Sequence, residues 1–178
     1  MKLSLFTPSH THEVIALFTD VFSTSESASE GELIGDLVSN LITTTPSADL
    51  MGFIATSGDR IVGCIFLSRF IVPSNQIAYI LSPVAIATNK QGTGIGQQLI
   101  TYGIEHLKSQ GTELVLTYGD PRYYSKTGFN SISKNTIQAP FELSQPEGWL
   151  AQSLNDKPIT VMKGPTKCVA ALSDQRYW

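Results

Sequence analysis

Gln91-Gly92-Thr93-Gly94-Ile95-Gly96 decides how this chain is read. The six residues follow an apolar, β-branched run, Tyr79 to Ile86, and open an amphipathic stretch from Ile95 to about Gln110. A glycine-rich turn between a strand and a helix gathers backbone N–H groups around one point. The positive end of the helix dipole lies behind them, so the turn is built for an anion, most often a phosphate or pyrophosphate. Gly92, Gly94 and Gly96 let a ligand approach the backbone because no Cβ intrudes. The plain alternative is a tight turn that only packs helix on strand.

Two familiar phosphate loops do not fit. A P-loop needs Gly-Lys-Ser/Thr, but Gly96 is followed by Gln97 and Gln98. A dinucleotide loop counted from Gly92 needs its third glycine at position 97, where the chain has Gln97.

Outward from the loop, the chain reads as a mixed α/β protein. Leu3 to Phe6 is strand-like, and Ser9 is placed to cap the next helix. Val14, Leu17, Phe18, Val21 and Phe22 then form one helical face. Ser23 to Ser29 reads as a loop, and Glu30 to Thr43 as a second helix ended by Pro46. Leu50–Thr56 and Ile61–Phe70 read as strands about a Ser57-Gly58-Asp59-Arg60 turn. Gln76–Ile86 is a strand with little alternation, as when both faces are covered. Gly111 ends the helix after the loop, and Glu113–Thr117 returns as a strand. Gly119-Asp120-Pro121 turns into a short helix, and Phe129–Ile132 is a strand. Residues 138–164 read as an excursion with a short helix over Trp149–Leu154, and Thr166–Leu172 closes as a strand. The order is β-αα-βββ-α-β-α-β-β, with one domain over 1–178 and no repeat.

Bulk properties narrow the function. With 178 residues, 42% apolar and 15% charged, the chain can bury a core. Net charge is −3 and no basic run exists, so the electrostatic footprint of a nucleic-acid binder is missing. No apolar stretch approaches the roughly 18 residues of a membrane span. Met1 to Phe6 lacks the apolar core of a signal peptide. Cys64 and Cys168 sit in strand-like runs without metal or redox spacing, which predicts buried, reduced thiols and a cytoplasmic protein.

Gln-x-x-Gly-x-Gly resembles the acyl-CoA pyrophosphate loop of the GNAT superfamily of N-acetyltransferases, Gln/Arg-x-x-Gly-x-Gly/Ala. Leu81-Ser82-Pro83-Val84-Ala85-Ile86 precedes it at the family's spacing. Tyr123-Tyr124-Ser125-Lys126-Thr127-Gly128-Phe129 is similar to the family's aromatic-Tyr-x-x-x-Gly-Phe signature. The longer string from Gly119 through Phe129 is similar to N-acetyltransferases of the YhbS type. The resemblance implies the GNAT fold, a central, mostly antiparallel sheet flanked by helices. It implies that the fourth and fifth strands splay apart to admit a pantetheine arm.

It also implies acetyl-CoA as co-substrate and direct attack by a primary amine. Backbone N–H groups of Gln91, Gly92, Thr93, Gly94, Ile95 and Gly96 would hold the pyrophosphate. The backbone of Val84, Ala85 and Ile86 would pair with the pantetheine amides, one N–H polarising the acetyl carbonyl. Tyr124, four residues before Gly128, takes the general acid's position, with Tyr123 as fallback. A phenol of pKa about 10 is protonated at neutral pH and can donate to a leaving thiolate. The plain alternative for both tyrosines is packing.

The base is open. Gln76–Ile86 carries no Asp or Glu, leaving Glu26, Glu30 or Glu32, a water chain, or proximity alone. His10, His12 and His106 read as structural or surface residues, and no metal site is expected. Lys126 is a weak phosphate candidate. Glu26, Glu30, Glu32 and Asp36 give a mildly acidic entrance, which suits a cationic amine on a small molecule or a peptide. A homodimer is left open. The rival reading is a non-catalytic acyl-CoA-binding sensor or interaction module.

Overall fold

The computed structural model describes residues 1–178. In chain order it holds β1 (Lys2–Leu5), α1 (Thr11–Ser25), α2 (Ala28–Thr44), β2 (Leu50–Ser57), β3 (Arg60–Phe70) and β4 (Ala78–Ile86). Then come α3 (Ile95–Ser109), β5 (Leu114–Tyr118), the short α4 (Pro121–Tyr124), β6 (Asn130–Ser131) and β7 (Trp149–Ser153). The strands form one sheet in the order β1-β2-β3-β4-β5-β7-β6. β1–β2, β5–β7 and β6–β7 are antiparallel. β4–β5 is parallel, so it requires a crossover, which α3 supplies. No helix is long and apolar enough to cross a membrane. The chain forms two compact units, Met1–Leu67 with Pro83–Gly103, and Ser68–Ser82 with Ile104–Trp178.

In the first unit the helical stripe read from sequence is the buried one. Val14, Phe18 and Val21 of α1 and Ile34, Leu37, Val38 and Leu41 of α2 face inward. Phe66 on β3 takes Phe6 edge-on at 5.3 Å and Phe18 at 6.1 Å. The Glu13 carboxylate accepts the Ile61 N–H at 2.8 Å, tying α1 to the start of β3. The Ser23–Ser29 loop is shorter than expected. α1 runs to Ser25, and Ser27 caps α2 by accepting the Glu30 N–H at 3.1 Å. Ser9 caps nothing, because its hydroxyl meets that of Thr7 at 2.8 Å and His10 occupies the cap position.

In the second unit β5 pairs with β7 from Leu114↔Ser153 to Tyr118↔Trp149. Residues opposed in an antiparallel pair share a face. Thr117 and Leu150 therefore lie on one face, and Tyr118 and Trp149 on the other. The Tyr118–Trp149 face carries an aromatic cluster. Trp149 meets Phe70 and Trp178 edge-on, both at 6.0 Å, and Trp178 stacks on Tyr118 and Phe141, both at 6.1 Å. Both indole N–H groups are satisfied, Trp149 on the Ile137 carbonyl at 2.8 Å and Trp178 on that of Leu172 at 3.0 Å. Glu113 fastens the start of β5: its carboxylate accepts from the Ile77 N–H at 3.0 Å and from the Asn155 amide at 3.2 Å.

Two expectations fail here. Trp149–Leu154 is not a helix but essentially β7, because its backbone pairs with β5 on one side and β6 on the other. A segment of six residues is too short to distinguish the two forms by period, and the ladders decide. Thr166–Leu172 is not a strand. Only Lys167 bridges, to Ile71, before Ala170–Leu172 makes a 3-10 turn. Cys168 consequently lies outside any strand and is half-buried, whereas Cys64 is fully buried on β3; both are free thiols.

Candidate active site

The glycine loop and Val84–Ile86 lie in the first unit, and Tyr124 lies in the second. The loop starts where β4 ends. Ala87 donates to the Val62 carbonyl at 2.9 Å, and Thr88–Lys90 makes a 3-10 turn. The Gln91 amide then folds back and donates to the Ile86 carbonyl at 3.1 Å. Thr93 donates through its hydroxyl to the Lys90 carbonyl at 2.6 Å. Both side chains therefore brace the loop, a role beyond the backbone one that the motif implies.

Gly92 and Gly94 have φ of +74° and +84°, where a side chain is strained. A Cβ on Gly92 would meet nothing within 4 Å, so the loop is open above it. The N–H groups of Gly92, Thr93 and Gly94 take no partner from the chain. Ile95 and Gly96 open α3, and Gln98 makes the turn's first bond, to Gly94 at 3.1 Å. Ile95 and Gly96 are themselves buried, which anchors the helix start beneath the loop. A run of unpartnered N–H groups at a helix N-terminus, with free space above, fits a pyrophosphate.

The register of β4 with β5 runs from Ala78↔Leu114 to Leu81↔Thr117, and β4 continues to Ile86. Pro83 follows closely and has no N–H to give a ladder. Ala85 and Ile86 are buried and Val84 is half-buried, so their side chains pack while the backbone remains the functional candidate.

Tyr124 ends α4, which Asp120 caps by accepting the Arg122 N–H at 2.9 Å. Its ring lies edge-on to Tyr123 at 5.0 Å and to Phe129 at 5.9 Å. It also packs on Gly119, where a Cβ would come within 2.5 Å of the ring. Burial pushes the Tyr124 phenol well above the usual tyrosine range; the neighbouring Tyr123 adds to this and a hydrogen bond with Thr117 opposes it. Burial also raises Tyr123, the alternative, which is half-buried like Tyr124. The phenol of Tyr124 is thus a neutral proton donor at any ordinary pH.

The base candidates are less developed. Glu26 and Glu32 are exposed and Glu30 is half-buried. His10 accepts the Thr7 N–H on Nδ1 at 3.0 Å, a structural use. Lys126 is exposed. From the sequence, Thr117 and Gly119 are no more than a strand and a turn residue. Nothing in a single sequence marks the residues on which a given ring will rest.

Residues 49–131 match the acetyltransferase (GNAT) domain model. The chain is 30% identical to the uncharacterized N-acetyltransferase YjhQ of Escherichia coli K12 over 139 residues, covering 75% of this chain and 76% of the relative. The chain belongs to the GNAT acetyltransferase family. Among solved structures, the GNAT N-acetyltransferase YhbS of Escherichia coli in complex with CoA superposes with a TM-score of 0.78 at 21% identity, over 97% of this chain and 92% of that one. A GNAT acetyltransferase of Brucella melitensis in complex with acetyl-CoA gives 0.76 at 20% identity, over 97% of both chains. These likenesses establish the GNAT fold: a mixed α/β structure on a seven-stranded, mostly antiparallel sheet.

Proposed function

We propose that this GNAT protein transfers an acetyl group from acetyl-CoA to a primary amine by direct attack, as one functional domain over residues 1–178. The observation that carries the reading is the open run of unpartnered N–H groups at Gly92, Thr93 and Gly94, on glycines with positive φ. Acetyl-CoA supplies the thioester carbonyl that the amine attacks. Gln91 through Gly96 hold its pyrophosphate, and the Gln91 and Thr93 side chains keep that loop in shape. Val84, Ala85 and Ile86 offer backbone groups to the pantetheine arm. Support for this role comes from the β4–β5 ladder, whose paired residues run from Ala78↔Leu114 to Leu81↔Thr117, ahead of Val84. One N–H of the same run polarises the acetyl carbonyl, a contact of the kind whose loss costs roughly 3 kcal/mol. Tyr124, neutral and half-buried, protonates the departing sulfur. No β4 carboxylate exists to serve as base, so the amine arrives uncharged or loses its proton to water. The free thiols support a reducing compartment, the cytoplasm.

Thermal unfolding with acetyl-CoA, ATP or NAD tests the ligand. At 100 times Kd a ligand adds about 2.7 kcal/mol. Stabilisation by acetyl-CoA above both controls is expected. An equal or larger shift with ATP or NAD refutes the loop assignment. Thiol release with an aminoglycoside, a polyamine and a short peptide with a free N-terminus then tests turnover. Tight binding without turnover of any amine would favour an acyl-CoA sensor.

A further inference from the structure

Residues 133–145, in the second unit, form no helix and no strand beyond the isolated Ile137↔Met162 bridge. Side chains from elsewhere hold them in place. Trp149 donates its indole N–H to the Ile137 carbonyl at 2.8 Å, and Thr166 its hydroxyl to that of Gln138 at 2.6 Å. Gln175 donates its amide to the Glu142 carbonyl at 2.7 Å. The Tyr118 hydroxyl accepts the Gln145 N–H at 2.7 Å and meets the Ser144 hydroxyl at 3.0 Å. Trp178 stacks on Phe141 at 6.1 Å. A loop tethered along its length keeps its shape before a ligand arrives, which lowers the ordering cost of binding. This loop bounds a cavity of about 530 Å³, inside the range of about 300–1,000 Å³ for small-molecule sites. Ala139, Phe141 and Leu143 give the cavity apolar surface, and Lys134 and Glu142 bring one charge of each sign. Both charged residues are exposed, and neither side chain is paired within the chain. None of Gln91–Gly96, Val84–Ile86 or Tyr124 lines this cavity.

We propose that this cavity binds a small zwitterion with an apolar side chain, as an unblocked amino acid or dipeptide is. Lys134 takes the carboxylate, Glu142 takes the ammonium, and the apolar surface covers the side chain. A ligand of a single charge would satisfy one of the two residues and be repelled by the other. The pair therefore selects for a molecule that carries both charges. The site goes beyond the acetyl-transfer reading and does not depend on it.

The test is calorimetric titration of the full chain with alanylphenylalanine, without acetyl-CoA. The N-acetylated and the C-terminally amidated dipeptides, each lacking one charge, serve as controls. Saturable binding of the free dipeptide at millimolar concentration is expected. Either cap should weaken it about 5-fold, the most that an exposed ion pair supplies. Lys134→Gln is expected to erase the effect of amidation and keep that of acetylation, and Glu142→Gln to do the reverse. Both side chains are exposed, so the variants should fold as the parent does. The crossed pattern ties each charge of the ligand to one side chain, and a general loosening of the loop would not produce it. No saturable binding of the free dipeptide overturns the proposal. So does equal affinity for the free and capped forms, or a response to the caps that neither variant changes. Each of these results leaves the acetyl-CoA reading standing, because the titration contains no cofactor and thermal unfolding tests that reading separately.

Discussion

Two turns of the second unit share one five-residue pattern, Asp-x-Arg-Tyr-aromatic, at Asp120–Tyr124 and Asp174–Trp178. The local geometry also recurs. In each turn the aspartate caps a single helical turn and accepts the N–H of the arginine two residues on, at 2.9 Å. In each it also grips that arginine's guanidinium, with closest contacts of 2.9 and 2.8 Å. The final rings then diverge. Trp178 is 6% exposed, sits among Tyr118, Phe141 and Trp149, and spends its N–H on the Leu172 carbonyl. Tyr124 is half-buried, packs against Gly119, Tyr123 and Phe129, and keeps an ionisable hydroxyl. The same local code makes the turn in both places, and the surroundings each turn meets decide how deeply its ring is buried.

Removing Trp178 should produce the largest effect. Trp178→Ala is expected to lose about 3–5 kcal/mol of stability, read from denaturant unfolding. A loss below about 0.5 kcal/mol, the range of neutral surface changes, would break the contrast. Tyr124→Phe should do the opposite. It is expected to cut kcat about 100-fold while changing stability by no more than about 1.5 kcal/mol. Equal kcat in the variant and the parent would return Tyr124 to a packing role.

Gly119→Ala sharpens the contrast further. The added methyl meets the Tyr124 ring, so it should cost about 1–3 kcal/mol through overpacking, and kcat should fall as the phenol moves. A melt and a rate on the same sample would separate the two losses. The smallest effect should come from acid. Arg122 holds the Asp120 carboxyl below its ordinary value, and Arg176 does the same to Asp174, mainly through the side-chain hydrogen bonds. Depressed folded values mean that each pair stabilises above the unfolded carboxylate pKa of about 3.9 and that this is lost as pH falls through the lower folded values. Both groups are exposed, so the stability change should be slight. NMR titration should find both carboxyls below the ordinary range; a normal value at either one would show that its turn lacks the arginine clasp.

Much of the fold was legible because its signals are local. The α1 and α2 stripes, the Gly58 turn, and the strand–glycine loop–helix sequence all depend on neighbours within a few positions. β7 was not legible. Trp149-Leu150-Ala151-Gln152-Ser153 is compatible with a helix, and only the partners Leu114–Tyr118 and Asn130–Ser131 make it a strand. The closing segment failed in the opposite direction: it has strand composition but no ladder beyond the Ile71↔Lys167 bridge. Within the candidate site, the motifs led to Gln91–Gly96 and Tyr124. They could not reveal that Gln91 and Thr93 turn their side chains back onto the chain.

By itself, the sequence determined where backbone donors would gather and where a tyrosine would stand four residues before a glycine. Glycine placement and short-range periodicity encode both. The tertiary structure decided which side chains surround that tyrosine and which of two matching turns buries its ring. Those depend on the register of β5 with β4 and β7, and register is set by the packing of whole strands, not by any one segment.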